Sequence, residues 1–113
     1  MKPKQELKVV AQIIQELALF LMYHGYNNYD ISFDSNDLDQ TFIVSLPDMN
    51  KALIDQMQKQ IDQPREESIE AYYFELLGDL DSREDLELLG IFIDSMTVVE
   101  TNEKVEITLT RKK

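Results

Sequence analysis

The segment that most constrains the fold is Glu6–Tyr26, ELKVVAQIIQELALFLMYHGY, the longest apolar-patterned stretch in the chain. Leu7, Val10, Ile14, Leu17 and Leu21 recur at spacings of three and four, and Ile13, Phe20 and Met22 widen the stripe. That period belongs to one face of a helix. Pro3 suits a first turn, and Gly25 suits the position just past the end, where a left-handed backbone costs glycine little. The spacing predicts a helix over 6–23, and about twenty residues at 1.5 Å each span roughly 30 Å, the width of a small domain. Gln12, Gln15 and Glu16 break the apolar run. Its longest uninterrupted piece, Leu17–Tyr23, falls far short of a membrane span. This is the core helix on which the shorter segments are expected to pack.

A length of 113 residues fits one domain over the whole chain. The chain has no cysteine, so disulfide and thiolate chemistry are excluded. Its net charge of −11 repels phosphate backbones and anionic lipid, which argues against nucleic acid and membrane as partners. Asp62–Glu87 holds ten carboxylates against Arg65 and Arg83, either a solvated acidic face or a docking face for a basic protein. The expected partner is therefore a protein, basic in charge; self-association into a homodimer stays open. The N-terminus begins basic, but polar residues recur through the first helix and no signal-peptide cleavage pattern follows, so the expected location is cytoplasmic.

After a loop at 26–28, Tyr29, Ile31 and Phe33 alternate with Asp30, Ser32 and Asp34. Turn residues fill 35–40, and Phe42, Val44 and Leu46 alternate again up to Pro47. Two alternating runs around a turn predict a β-hairpin with one buried face. Asp48 or Asn50 is placed to cap a helix striped by Leu53, Ile54, Met57 and Ile61 and closed by Pro64. A further helix is predicted over 65–77, with Ile69, Tyr72, Tyr73, Leu76 and Leu77 at helical spacing and Gly78 at its end. Another is predicted over 83–95, where Leu86, Leu89, Ile93 and Met96 repeat at 3, 4 and 3, and Ser82 with Asp85 resembles a capping box. Strands over 97–101 and 104–111 close the chain around a turn at Asn102-Glu103, with Val105, Ile107 and Leu109 inward. The order α-ββ-α-α-α-ββ predicts an α+β fold, a two-layer sandwich with a four-stranded, mostly antiparallel sheet and helices on one face.

Most candidate chemistry fails on inspection. His24 is the only histidine, and no serine sits in a nucleophile elbow, so no triad can form. At a helix C-terminus it serves as a cation favoured by the helix dipole. Asp34-Ser-Asn36-Asp37-Leu-Asp39 has the look of a calcium loop. Leu38, however, occupies a ligand position, Gln40 stands where glycine is needed, and Ser45 replaces the closing glutamate. No metal site is expected. Tyr23, Tyr26, Tyr29, Tyr72 and Tyr73 suit the edge of a core. The three glycines, Gly25, Gly78 and Gly90, are too far apart for a phosphate loop.

One pattern stands above these. Glu16, Phe20 and His24-Gly25-Tyr26 read E-x-x-x-F-x-x-x-H-G-Y at the end of the first helix. This resembles the N-box helix of the histidine-kinase-like ATPase superfamily, and most closely its anti-sigma-factor serine kinase branch, where E-x-x-x-N precedes H-G-Y. The succession of hairpin, helical middle, final helix and final hairpin is also similar, and Leu89-Gly90-Ile91 resembles the end of the family's last glycine box. The resemblance implies a general-base role for Glu16 and, for Gly90, a place against ATP held with Mg²⁺. The departures point the other way. Phe20 stands where the family's asparagine helps hold Mg²⁺, and it offers no oxygen. Without a metal-bound phosphate Glu16 has no water or hydroxyl to activate toward one. Leu46-Pro47-Asp48-Met49-Asn50 lacks the glycines of the adenine-reading box, and Leu86-Glu87-Leu88 puts a carboxylate where phosphates would lie. The expectation is a degenerate ATPase-like domain without nucleotide cofactor, retained as a non-catalytic regulatory, protein-binding module. In it Phe20 is buried against the helices of 49–77. The alternatives are an active ATP-binding serine kinase with rebuilt boxes, and an unrelated acidic α+β interaction domain.

Overall fold

A computed structural model describes residues 3–62 and 87–113. Its elements are α1 (Pro3–Tyr23), β1 (Asp30–Ser35), β2 (Asp39–Leu46), α2 (Lys51–Ile61), α3 (Glu87–Phe92), β3 (Ser95–Glu100) and β4 (Val105–Lys112). The expected helix over 65–77 and the Ser82 cap lie outside the described residues. The four strands form one antiparallel sheet in the order β1-β2-β4-β3. The second hairpin thus inserts its last strand beside the first hairpin, with β2 and β4 at the centre and β1 and β3 at the edges. The fold is α+β, as the element order predicts.

Period-two alternation decides which side of the sheet is covered. Gln40, Phe42, Val44 and Leu46 of β2 and Val105, Ile107, Leu109 and Arg111 of β4 are buried, while the residues between them are half-buried. Register sets Phe42 opposite Leu109 and Val44 opposite Ile107. The helices lie on this face, and Val9, Ile13, Leu17, Phe20 and Leu21 of α1, Ile54, Met57 and Ile61 of α2, and Leu89 and Phe92 of α3 complete one apolar core.

Of the expected core residues, Val10, Ile14 and Ile31 are half-buried against this cluster, and Leu7 and Phe33 are exposed. Leu7 is 71% exposed and Phe33 40% exposed. Residues two apart on a helix point about 200° apart, so when Val9 and Ile13 face the sheet, Leu7 faces away. The helix is apolar on more than one side, and its rotation is fixed by tertiary bonds rather than by the stripe alone. Met22 is likewise outward, at 58%. Phe33 sits on edge strand β1, directly across from Phe42, with ring centroids 5.0 Å apart; a neighbouring strand covers it on one side only.

The predicted helix over 83–95 also ends early. Ile93 still donates to the Leu89 carbonyl at 2.9 Å, but Asp94 N–H donates to the Thr110 carbonyl of β4 at 2.9 Å. The backbone passes from helix to sheet between these two residues. Met96 is therefore buried as a strand residue opposite Leu109, not as part of a helical stripe. Its spacing of three from Ile93 fits the helical period, which is why the sequence misleads there.

The connections are made by local polar chemistry. Asn36 closes the first hairpin: its side-chain oxygen accepts from Leu38 N–H at 2.8 Å and Asp39 N–H at 2.9 Å. This is the Asx turn that short polar side chains favour. Thr101 does the same for the second hairpin, accepting from Glu103 and Lys104 N–H at 3.3 and 3.1 Å. Asn50 caps α2 by accepting from Ala52 N–H at 2.7 Å.

Candidate functional site

The E-x-x-x-F-x-x-x-H-G-Y residues lie along the C-terminal half of α1 and its cap. Glu16 is 6% exposed, an uncommon place for a carboxylate unless it is bonded. Its Oε2 accepts from the backbone N–H of Leu89 at 3.0 Å. Leu89 is the third described residue of α3, near the end of the helix where N–H groups seek partners outside it. Glu16 therefore acts as a capping group supplied across 73 residues of sequence, and the positive end of α3 favours its charge.

Gly90 follows at once, so the chain does bring the two sequence-predicted site residues together. They do not frame an open space. A Cβ built on Gly90 would stand 2.4 Å from the Gln60 carbonyl oxygen and 3.3 Å from its carbon. Gly90 is thus the contact point at which α3 lies backbone-to-backbone against the last turn of α2. A side chain would push the two apart.

Phe20 is fully buried, in the cluster that includes Met57 and Ile61 of α2. The His24 ring stands edge-on to it, with centroids 4.6 Å apart, and also meets Tyr23 at 5.4 Å. The His24 Nε2 is buried and has no hydrogen-bond partner among the described residues. Gly25 adopts φ +88°, as a residue just past a helix end must for the chain to turn back. Its N–H donates to Met22 at 3.1 Å and that of Tyr26 to Leu21 at 2.9 Å, the paired bonds of a Schellman cap. The Tyr26 hydroxyl then accepts from Asn50 N–H at 2.8 Å, joining the end of α1 to the start of α2. Every residue of the motif is occupied with packing, capping or joining.

A second buried polar group was not read from the sequence. Arg111 is 2% exposed and donates through Nη1 to Glu6 at 2.8 Å and to Gln40 at 3.0 Å, while Gln40 donates to Glu6 at 3.3 Å. The guanidinium carbon lies 5.9 Å from the centre of the Phe92 ring. The group thus links α1, β2, β4 and α3. The signal was present: Arg111 continues the inward parity of Val105, Ile107 and Leu109, and a cation there requires a partner.

A cleft of about 200 Å³ opens at one end of the sheet, lined by Tyr29, Asp30, Ser45, Pro47, Glu103 and Lys104 among others. Neither Glu16, Phe20 nor Gly90 reaches it. Among the described residues no group of three acidic, histidine or cysteine side chains is placed to hold a metal ion, and no helix is long and apolar enough to cross a membrane. Searches against family models, curated proteins and solved structures returned no match.

Proposed function

We propose that the chain is a nucleotide-independent, non-catalytic protein-binding module of regulatory type, cytoplasmic in location, whose partner carries net positive charge. In this reading it is a degenerate relative of the anti-sigma-type ATPase domain. The observation that carries it is the burial of Phe20. A position that in an active relative presents an amide to a wet, charged pocket here holds a fully buried ring. The general-base candidate, Glu16, accepts from the N–H of Leu89, and the Gly90 surface meets backbone at 2.4 Å. That Glu16 and Leu89-Gly90 still meet favours a closed-over version of the ATPase layout above an unrelated acidic domain. The charge of −11 favours a basic partner, since an acidic surface attracts one at long range and repels nucleic acid.

The test is a thermal-shift titration with millimolar Mg-ATP beside a lysine-rich peptide and its glutamate-rich counterpart. The expected result is no shift with nucleotide and a saturable, salt-sensitive rise with the lysine peptide alone. A ligand at 100 times its Kd adds about 2.7 kcal/mol of stability, so nucleotide binding would be plain. A saturable rise with Mg-ATP would overturn this reading in favour of a working ATP-binding kinase. No response to either peptide would overturn the basic-partner assignment.

A further inference from the structure

Helix α1 has a second face that is nearly uncharged. Between Leu7 and Tyr23 the charged residues are Lys8 and Glu16, and Glu16 is buried. Lys8 is therefore the one exposed charge along this stretch of a chain carrying −11. On the side turned away from the sheet, Leu7, Ala11, Gln15, Ala18 and Met22 fall within an arc of about 80°, at 100° per residue. Leu7 and Met22 are 71% and 58% exposed, Ala11 and Gln15 are exposed and Ala18 half-buried. A solvent-facing helix surface is ordinarily charged or polar; uncharged faces with exposed large side chains mark contact surfaces.

The order along this stripe is symmetric: large, small, amide, small, large. Turned end for end about a point beside Gln15, Leu7 falls on Met22 and Ala11 on Ala18. Self-complementarity of this kind is what a two-fold interface between identical chains requires. The alanines let two helix axes approach closely, at about 8 Å. The charge pattern selects the same occupant. Two copies at −11 each repel through most of their surfaces, and the α1 stripe sets no carboxylate against its own copy. A basic partner, by contrast, finds no anionic group on it.

We infer that this face of α1 is a self-association surface, on which two copies pack as an antiparallel helix pair about a dyad at Gln15. One helix face lies at the small end of specific interfaces, so the dimer is weak and concentration-dependent. It also tightens as salt screens the mutual repulsion. That sign is opposite to the one expected for docking of a basic partner, so this inference and the proposed function fail separately.

The absence of cysteine makes the geometry testable. In analytical ultracentrifugation the mass should rise from 13.2 kDa toward twice that value below about 1 mM protein, with stronger association at about 0.5 M salt than at low salt. Ala11→Glu should lower the association constant at least tenfold, with unchanged circular dichroism. Under mild oxidation Gln15→Cys should form a symmetric disulfide. Leu7→Cys should not, because in the antiparallel pair its two copies lie about 22 Å apart; mixed with Met22→Cys it should give the heterodimer. Thr97→Cys, on the opposite face of the sheet, should stay monomeric. A monomer throughout, association that weakens with salt, or a Leu7→Cys homodimer as efficient as that of Gln15→Cys would each overturn the inference.

Discussion

The carboxylate of Glu16, in the middle of α1, accepts from the backbone N–H of Leu89 at 3.0 Å, and so ties α1 to α3. A glutamate that a motif would assign to proton transfer is here a structural acceptor. Glu16→Ala should leave that buried N–H unsatisfied and cost about 2–3 kcal/mol. Glu16→Gln, which keeps an oxygen acceptor but loses the charge, should cost roughly 1 kcal/mol. Urea unfolding of both variants checks this. Equal losses would mean that the negative charge, and not the acceptor, is what α3 requires.

Phe20→Asn, which restores the family's amide, should not restore nucleotide binding. Removing a fully buried ring and burying an amide in its place should cost on the order of 3 kcal/mol. The check is urea unfolding with and without Mg-ATP. A midpoint unchanged by the substitution, or raised by nucleotide, would contradict it.

Gly90→Ala isolates the contact between α3 and α2. Alanine is the better helix former by about 1 kcal/mol, so an unobstructed site would gain stability. With the new methyl 2.4 Å from the backbone oxygen of Gln60, neither helix can yield without moving, and a net loss of roughly 1–3 kcal/mol is expected. Thermal unfolding gives the sign directly. The same change at Gly25 meets open space but a backbone at φ +88°, so it should also destabilise, there through conformation alone.

The Arg111 group separates buried from half-exposed partners. Arg111→Met leaves the Gln40 and Glu6 oxygens without their cation and should cost about 2–4 kcal/mol. Glu6→Gln should cost less, about 1 kcal/mol, because the Glu6 side chain is 29% exposed and water can replace part of the lost pairing. Chemical unfolding of both variants should reproduce that order.

The elements with a single strong period could be read from the sequence. Val105, Ile107 and Leu109 alternate with polar residues, as do Phe42, Val44 and Leu46 apart from the outward Ile43, and they form the two central strands. The Gly25 cap and the Asn50 cap are equally local, and both are present. What could not be read depends on contacts between distant residues. The rotation of α1 follows from bonds reaching residues 89 and 111, and the stripe through Leu7 is as apolar as the one through Val9. The end of α3 depends on a carbonyl of β4 capturing Asp94 N–H. In the candidate site, the sequence brings Glu16 and Gly90 to one place; that the place is filled follows from a helix-to-helix distance no local pattern encodes.

The hydroxyl of Tyr26 takes the N–H of Asn50, while Tyr26's own N–H closes the cap on α1 and Asn50's side chain opens α2. Two helix ends thus share one fastening, so neither can fray by itself. Opening the last turn of α1 frees the first turn of α2, and amide protons on both sides should exchange with solvent as a single cooperative unit. The H-G-Y residues, which the resemblance places at the end of a catalytic helix, are here the joint between α1 and α2.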